Sequence, residues 1–253
     1  MNPDPDWLSL TDEKTIDPLL TICDPHHHLW SNRPNSLPST YLLDHFLSDV
    51  HTGEHNIVSS VFIECGTMFN TDGPVDLRPV GETQFASDNA DKSASGLYGD
   101  ARVAKGIIGT CDLKIGDAAA DVLDKQIDAG GGRFKGIRLG MAWDNNKEVA
   151  NHRTNPPGDM VLRNDFRACF KHLAPLNLSY EAWCYHPQIP DVTNLARAFP
   201  YTAIILDHFC SPIGIGPYKG KGDEVFATWQ RSIEELAQCE NVRAKLGGIN
   251  MEV

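Results

Sequence analysis

Seven short apolar runs recur along this chain of 253 residues, each separated from the next by a segment of helical or turn character. That alternation admits few folds. A strand apolar on both faces must be covered by the segments that link it to its neighbours, and the solution is a parallel sheet with crossover helices. The runs cover residues 20–23, 57–64, 103–111, 134–138, 178–185, 202–207 and 242–246. Between them, residues 118–129, 164–173, 189–199 and 224–238 place apolar side chains three and four apart, the period of an amphipathic helix.

Residues 1–21 read as a polar N-terminal extension, and residues 22–253 as one domain of β/α barrel type. Two stretches interrupt the rhythm: residues 66–100 and 140–163 are polar and rich in Gly, Asp and Asn. Long loops in a compact α/β domain are usually functional, so both are expected to act as lids that set specificity.

Charge narrows the partners. With 22 Lys and Arg against 34 Asp and Glu, the net charge of −12 excludes nucleic acid and anionic membrane as the main partner. No stretch reaches the roughly 18 apolar residues of a membrane span, and the acidic start lacks the regions of a signal peptide, so a cytoplasmic location is expected. The 7 cysteines contain no C-x-x-C pair, which argues against a disulfide framework or zinc knuckle.

The sharpest motif is Asp24-Pro25-His26-His27-His28, at the end of the first run. In extended chain His26 and His28 project to one side and His27 to the other, and two imidazoles about 7 Å apart along a strand can converge on a divalent ion or a substrate oxygen. Taken alone, H-x-H also occurs in surface loops. Its position adds weight, because Glu64, Arg138, His186 and the pair Asp207-His208 also stand at ends of runs. The C-terminal ends of parallel strands are where a β/α barrel assembles its active site.

The segments DPHHHLW, FIECG, RPVGETQFA, FKGIRLG, AWCYHPQ, ILDHFCSPIGIGPYKG and KLGGINM together resemble the amidohydrolase-related family, within its lactonase-like branch of sugar-lactone and dicarboxylate-lactone hydrolases. The resemblance implies a (β/α)8 TIM-barrel fold and hydrolysis of a small cyclic ester. By the same resemblance His26, His28 and His186 are metal-ligand positions, and His208, with His186, carries the catalytic acid/base work. One divalent ion, zinc first, is the implied cofactor; some members of the branch work without metal. Arg138 suits a substrate carboxylate or a rim salt bridge, and Glu64 a sugar hydroxyl or a buried pairing. Tyr185 and Gln188, flanking His186, are further substrate-contact positions. The alternatives are a metal-dependent decarboxylase of the same superfamily and a non-catalytic barrel fragment serving as an oligomerisation or regulatory partner.

The family places an aspartate at the end of an eighth strand, whereas this sequence ends at Met251-Glu252-Val253, after the seventh run. The resemblance therefore carries the expectation of a barrel truncated after its seventh strand. Open edges on the first and seventh strands, a homodimer built on them and little hydrolase activity follow from it.

Overall fold

The computed structural model describes residues 10, 13–34, 36 and 38–248. Most of the N-terminal extension and residues 249–253, on which the chain-end expectation rests, lie outside the described residues.

Seven strands form where the apolar runs lie: β1 (Thr21–His27), β2 (Asn56–Ile63), β3 (Arg102–Gly109), β4 (Phe134–Arg138), β5 (Ser179–Ala182), β6 (Ile204–Leu206) and β7 (Val242–Ala244). They follow one another in the sheet in chain order. Helices stand between them: α1 (Leu43–Thr52), α2 (Val80–Ala94), α3 (Ala119–Gly130), α4 (Asn164–Phe170), α5 (Ile189–Ala198) and α6 (Gly222–Leu236). This is the expected α/β architecture of (β/α)8 type, represented by seven strands; among the described residues there is no eighth. No helix of the described residues is long and apolar enough to cross a membrane.

The residues group into two compact units, 1–109 with 125–134, and 110–124 with 135–253. In the first, β1 pairs with β2 and β2 with β3, all parallel. The β1 register slips between Asp24 and His27, which lie opposite Ser60 and Phe62, so the strand accommodates Pro25 by an irregularity. Phe62, Ile63, Ile107 and Leu29 are fully buried in this unit.

Residues 66–100 are not the loop expected. Fifteen of them form α2, preceded by a single 3-10 turn at Val75–Leu77. The physical reason is the helix's buried face, which consists of Glu82, Thr83, Ala86, Ser87, Asn89, Ala90 and Ser93. These side chains are small or polar, so no apolar stripe marks the helix in the sequence. They are buried because they serve the backbone: Ser93 Oγ donates to Ala101 O (2.8 Å) and accepts from Val103 N (2.9 Å), holding the start of β3. Helix α1, rich in apolar residues but short, was likewise not anticipated; it buries Leu43, Phe46, Leu47 and Val50.

In the second unit β4, β5, β6 and β7 pair in parallel succession. Tyr180, Phe166 and Phe170 are fully buried and meet edge-on or stacked at 5.4–5.8 Å between ring centroids. Asn241 ties the start of β7 to α5 and β6 by donating to the carbonyls of Ala196, Phe199 and Thr202 (3.0–3.2 Å). β7 itself is short and mostly exposed. The strands end earlier than the apolar runs, so His186 and Asp207 lie just beyond strand ends. Residues 140–163 stay irregular apart from a 3-10 turn at Met160–Leu162, as expected.

Candidate active site

Each unit carries charged and imidazole side chains at the C-terminal ends of its strands. In the first, the β1 alternation holds. His27 turns inward against Phe46 (4.4 Å between centroids) and Phe62 (5.9 Å), and burial pushes its pKa down to about 3. His26 and His28 face each other instead, with their Nε2 atoms 3.2 Å apart. The Nδ1 of His28 lies 2.8 Å from the carbonyl oxygen of Ile63, at the end of β2. A carbonyl only accepts, so Nδ1 carries the proton and the His28 Nε2 presents its lone pair towards His26. Asp24 steadies the turn by accepting from the His26 backbone N–H (3.0 Å).

This donor set fits a divalent ion. Two nitrogens bound to one tetrahedral zinc at about 2.0–2.1 Å lie about 3.3–3.4 Å apart, close to the observed separation. The carbonyl behind His28 is the usual kind of partner that fixes a ligating histidine's tautomer.

Glu64 follows β2 and is buried, its backbone N–H bonded to Ile108 O (2.8 Å). Next to it, Glu82 from α2 accepts from the backbone N–H groups of Cys65 (2.8 Å) and Thr67 (3.0 Å). A buried carboxylate thus holds the loop after β2 in place, a role that no motif announced.

In the second unit the strand register places four charges on one face. Arg138 lies opposite Glu181, and Ile205 opposite both Glu181 and Arg243. Two residues on from Ile205 and Arg243, with the strand alternation carried through, come Asp207 and Lys245. The structure brings them together: Lys245 Nζ lies 2.5 Å from Glu181 Oε2 and 3.1 Å from Asp207 Oδ1, and an Arg138 guanidinium nitrogen 3.8 Å from Asp207 Oδ2. All four are buried. Two basic side chains meet two carboxyl groups, and such pairing is how buried charges are tolerated. Burial, together with the charge of Asp207, pushes the Glu181 carboxyl up to about 8 against the opposing pull of Lys245 and Arg138.

His186 begins a 3-10 turn (His186–Gln188) after β5. Its Nδ1 accepts from the backbone N–H of Ile213 (3.2 Å), and burial holds its pKa below the usual imidazole range. Neutral His186 therefore carries its proton on Nε2. In this arrangement its Nε2 offers a hydrogen-bond donor.

Tyr185 and Gln188 hold loops together. Gln188 Oε1 accepts from Trp143 N (3.0 Å) and Tyr185 N (3.2 Å), and its Nε2 donates to Met141 O (2.8 Å). The Tyr185 hydroxyl donates to Ala150 O. Their polar groups bond to backbone and tie together the loops after β4 and β5.

His208 opens four consecutive residues in left-handed conformation, His208, Phe209, Cys210 and Ser211 (φ 51°, 53°, 55° and 32°). Non-glycine residues rarely adopt it, and each costs about 1–2 kcal/mol. The turn is held by Trp229 Nε1 donating to Phe209 O (2.7 Å) and Trp183 Nε1 donating to Ser211 Oγ (3.3 Å). Beside His186, a cleft of about 380 Å³ is lined by Tyr218, Lys221, Glu224 and Thr228 among others. Tyr218, from the glycine-rich segment after β6, donates to Asp144 Oδ2 (2.8 Å), which ties that segment to the loop after β4.

Residues 23–252 match the family model described as amidohydrolase. The chain belongs to that family. It is 29% identical over 250 residues to the Uncharacterized protein y4mH of Sinorhizobium fredii, covering 92% of this chain and 74% of that protein. It is also 28% identical over 143 residues to the L-fucono-1,5-lactonase of Burkholderia ambifaria, covering 56% of this chain and 42% of the lactonase. Among solved structures, an amidohydrolase from Burkholderia multivorans with bound HEPES superposes with a TM-score of 0.61 at 21% identity, covering 90% of this chain and 70% of that one. A second crystal form with bound zinc gives 0.60 at 21% identity, covering 88% and 68%. These likenesses bear out the α/β barrel-type fold.

Proposed function

We propose that this amidohydrolase opens a small lactone of a sugar acid or dicarboxylic acid. The observation that carries the reading is the His26–His28 pair, with Nε2 atoms 3.2 Å apart and His28 braced by the Ile63 carbonyl. The partial similarity to an L-fucono-1,5-lactonase supports the choice of a lactone.

Hydrolysis of a lactone needs a water made nucleophilic, a carbonyl made electrophilic and a proton for the departing ring oxygen. A divalent ion at His26 and His28 supplies the first two when bound, by acidifying water and drawing charge from a carbonyl oxygen. The chain's own residues take the remaining tasks. His186, proton on Nε2, donates a hydrogen bond to a substrate oxygen. His208 passes a proton to the leaving oxygen, work suited to an imidazole. The Arg138 fork binds a substrate carboxylate, and Glu64 holds a sugar hydroxyl.

The test is acid release, followed with a pH indicator, from a panel of aldonolactones and dicarboxylate lactones, with and without added zinc. Turnover that falls at least about 100-fold in the His26→Ala/His28→Ala variant is expected. A folded wild-type chain that opens no lactone of the panel sinks the reading, and release of carbon dioxide from a carboxylic acid substrate points to decarboxylation instead.

A further inference from the structure

We infer that the segment after β7, from Lys245 to Gly248, is a positioning element for the site: Lys245 fixes Glu181 and Asp207, and Gly248 shapes the space in which the His208 ring lies. The inference rests on the proposed hydrolase reading for what the positioned groups do, and on geometry for the positioning itself.

Two independent observations carry it. The first is the ion-pair arrangement. Lys245 is 9% exposed, and its ammonium contacts both carboxylates, at 2.5 Å and 3.1 Å. Burying an ammonium is unfavourable unless it is paired, and here one ammonium spans two carboxyl groups, Glu181 in β5 and Asp207 just beyond β6. Asp207 immediately precedes His208, so whatever sets the Asp207 carboxylate also sets the start of the left-handed turn. The backbone is tied at the same point: Lys245 N donates to Leu206 O (3.1 Å), extending the β6–β7 ladder one residue beyond β7.

The second observation is steric. Gly248 is left-handed (φ 72°), and a Cβ there would lie 2.0 Å from His208 Nδ1 and 2.6 Å from its Cγ. Only glycine leaves that volume to the imidazole and takes that backbone conformation without cost. Three residues apart, Lys245 and Gly248 thus hold the two ends of one dipeptide, Asp207-His208. Neither was marked by the strand-end pattern, since Lys245 falls inside the seventh run and Gly248 carries no polar side chain.

A purely structural lysine and a positioning lysine predict different kinetics. The experiment compares wild type with Lys245→Met, Lys245→Arg, the charge-matched Glu181→Gln/Lys245→Met double variant and Gly248→Ala. It records kcat, KM, the pH–rate profile and thermal midpoint on the lactone that wild type turns over best. Positioning predicts that Lys245→Met lowers kcat about tenfold or more with a smaller change in KM, and displaces the pH profile. Lys245→Arg should recover most of kcat by keeping the charge. The double variant should recover the thermal midpoint without recovering kcat. Gly248→Ala should lower kcat similarly and move the side-chain ¹⁵N–¹H resonances of His208. Wild-type kcat and pH profile in Lys245→Met, or kcat that returns together with the midpoint in the double variant, overturns the role of Lys245. Unmoved His208 resonances in folded Gly248→Ala overturn that of Gly248. If wild type opens no lactone, the function reading fails by itself. The positioning claim is then decided by His208 and the Glu181 carboxyl resonance, which must shift in Gly248→Ala and in Lys245→Met respectively; unmoved resonances overturn it.

Discussion

The Nδ1 of His28 lies 2.8 Å from the carbonyl oxygen of Ile63, and this one contact decides which face of the imidazole is available for chemistry. It locks the proton on Nδ1 and turns the Nε2 lone pair towards His26. Metal content should follow that geometry. After dialysis against a weak chelator and reloading with zinc, His26→Ala and His28→Ala should each weaken binding by about 10- to 100-fold, measured by titration calorimetry. His27→Leu, altered on the opposite face, should bind zinc as wild type does. Equal loss in all three variants would show that the pair is not a ligand pair.

The raised carboxyl of Glu181 makes a signed prediction about pH. Its pKa rises from 4.5 to about 8 in the folded chain, chiefly through burial. The folded state therefore holds this proton more tightly than the unfolded one. The associated stability is fully present below about pH 4.5 and is lost as pH rises through about 8. Glu181→Gln removes the titration. The difference in melting midpoint, wild type minus variant, should therefore shrink steadily between pH 5 and pH 9 in differential scanning calorimetry. A difference that stays constant or widens contradicts the assignment.

Gln188 connects three backbone groups, and Gln188→Ala leaves Trp143 N, Tyr185 N and Met141 O without it. Each buried group so abandoned costs about 1–3 kcal/mol. Chemical denaturation should show a loss of at least about 2 kcal/mol. A loss under about 0.5 kcal/mol, typical of surface substitutions, would mean that water replaces the amide freely.

Helix α2 packs through small residues, and Ala86 is fully buried there. Enlarging it leaves no room for the added atoms. Ala86→Leu should destabilise by about 1–3 kcal/mol, whereas Ala86→Ser should be much milder. Urea unfolding of both variants checks this, and a neutral leucine would argue that the helix is free to move away from its neighbours.

Much of the architecture is visible in the amino-acid order because it depends on local pattern. All seven apolar runs became strands, and α3, α4, α5 and α6 formed near the segments with helical period. The facing of His26 and His28 also follows from alternation along one strand, even across the irregularity at Pro25. Helix α2 escaped notice because its buried face is made of Ser, Thr, Ala, Asn and Glu, held by hydrogen bonds that depend on partners elsewhere in the chain. His152 was missed for a related reason: it sits in the irregular stretch after β4 and is buried edge-on against Trp183 (5.2 Å), with no strand end or motif to flag it.

By itself, the sequence determined the α/β class, the succession of strands and the histidine pair, since each depends on neighbours within a few positions. Only the tertiary structure decided the charge cluster. Lys245 and Glu181 are 64 residues apart, and nothing in the local pattern of either predicts a 2.5 Å ion pair. Register across β4, β5, β6 and β7 puts Arg138, Glu181, Asp207 and Lys245 on one face, and burial there forces opposite charges into contact. The tautomers of His28 and His186 were decided in the same way, by a carbonyl and an N–H that only folding brings within reach.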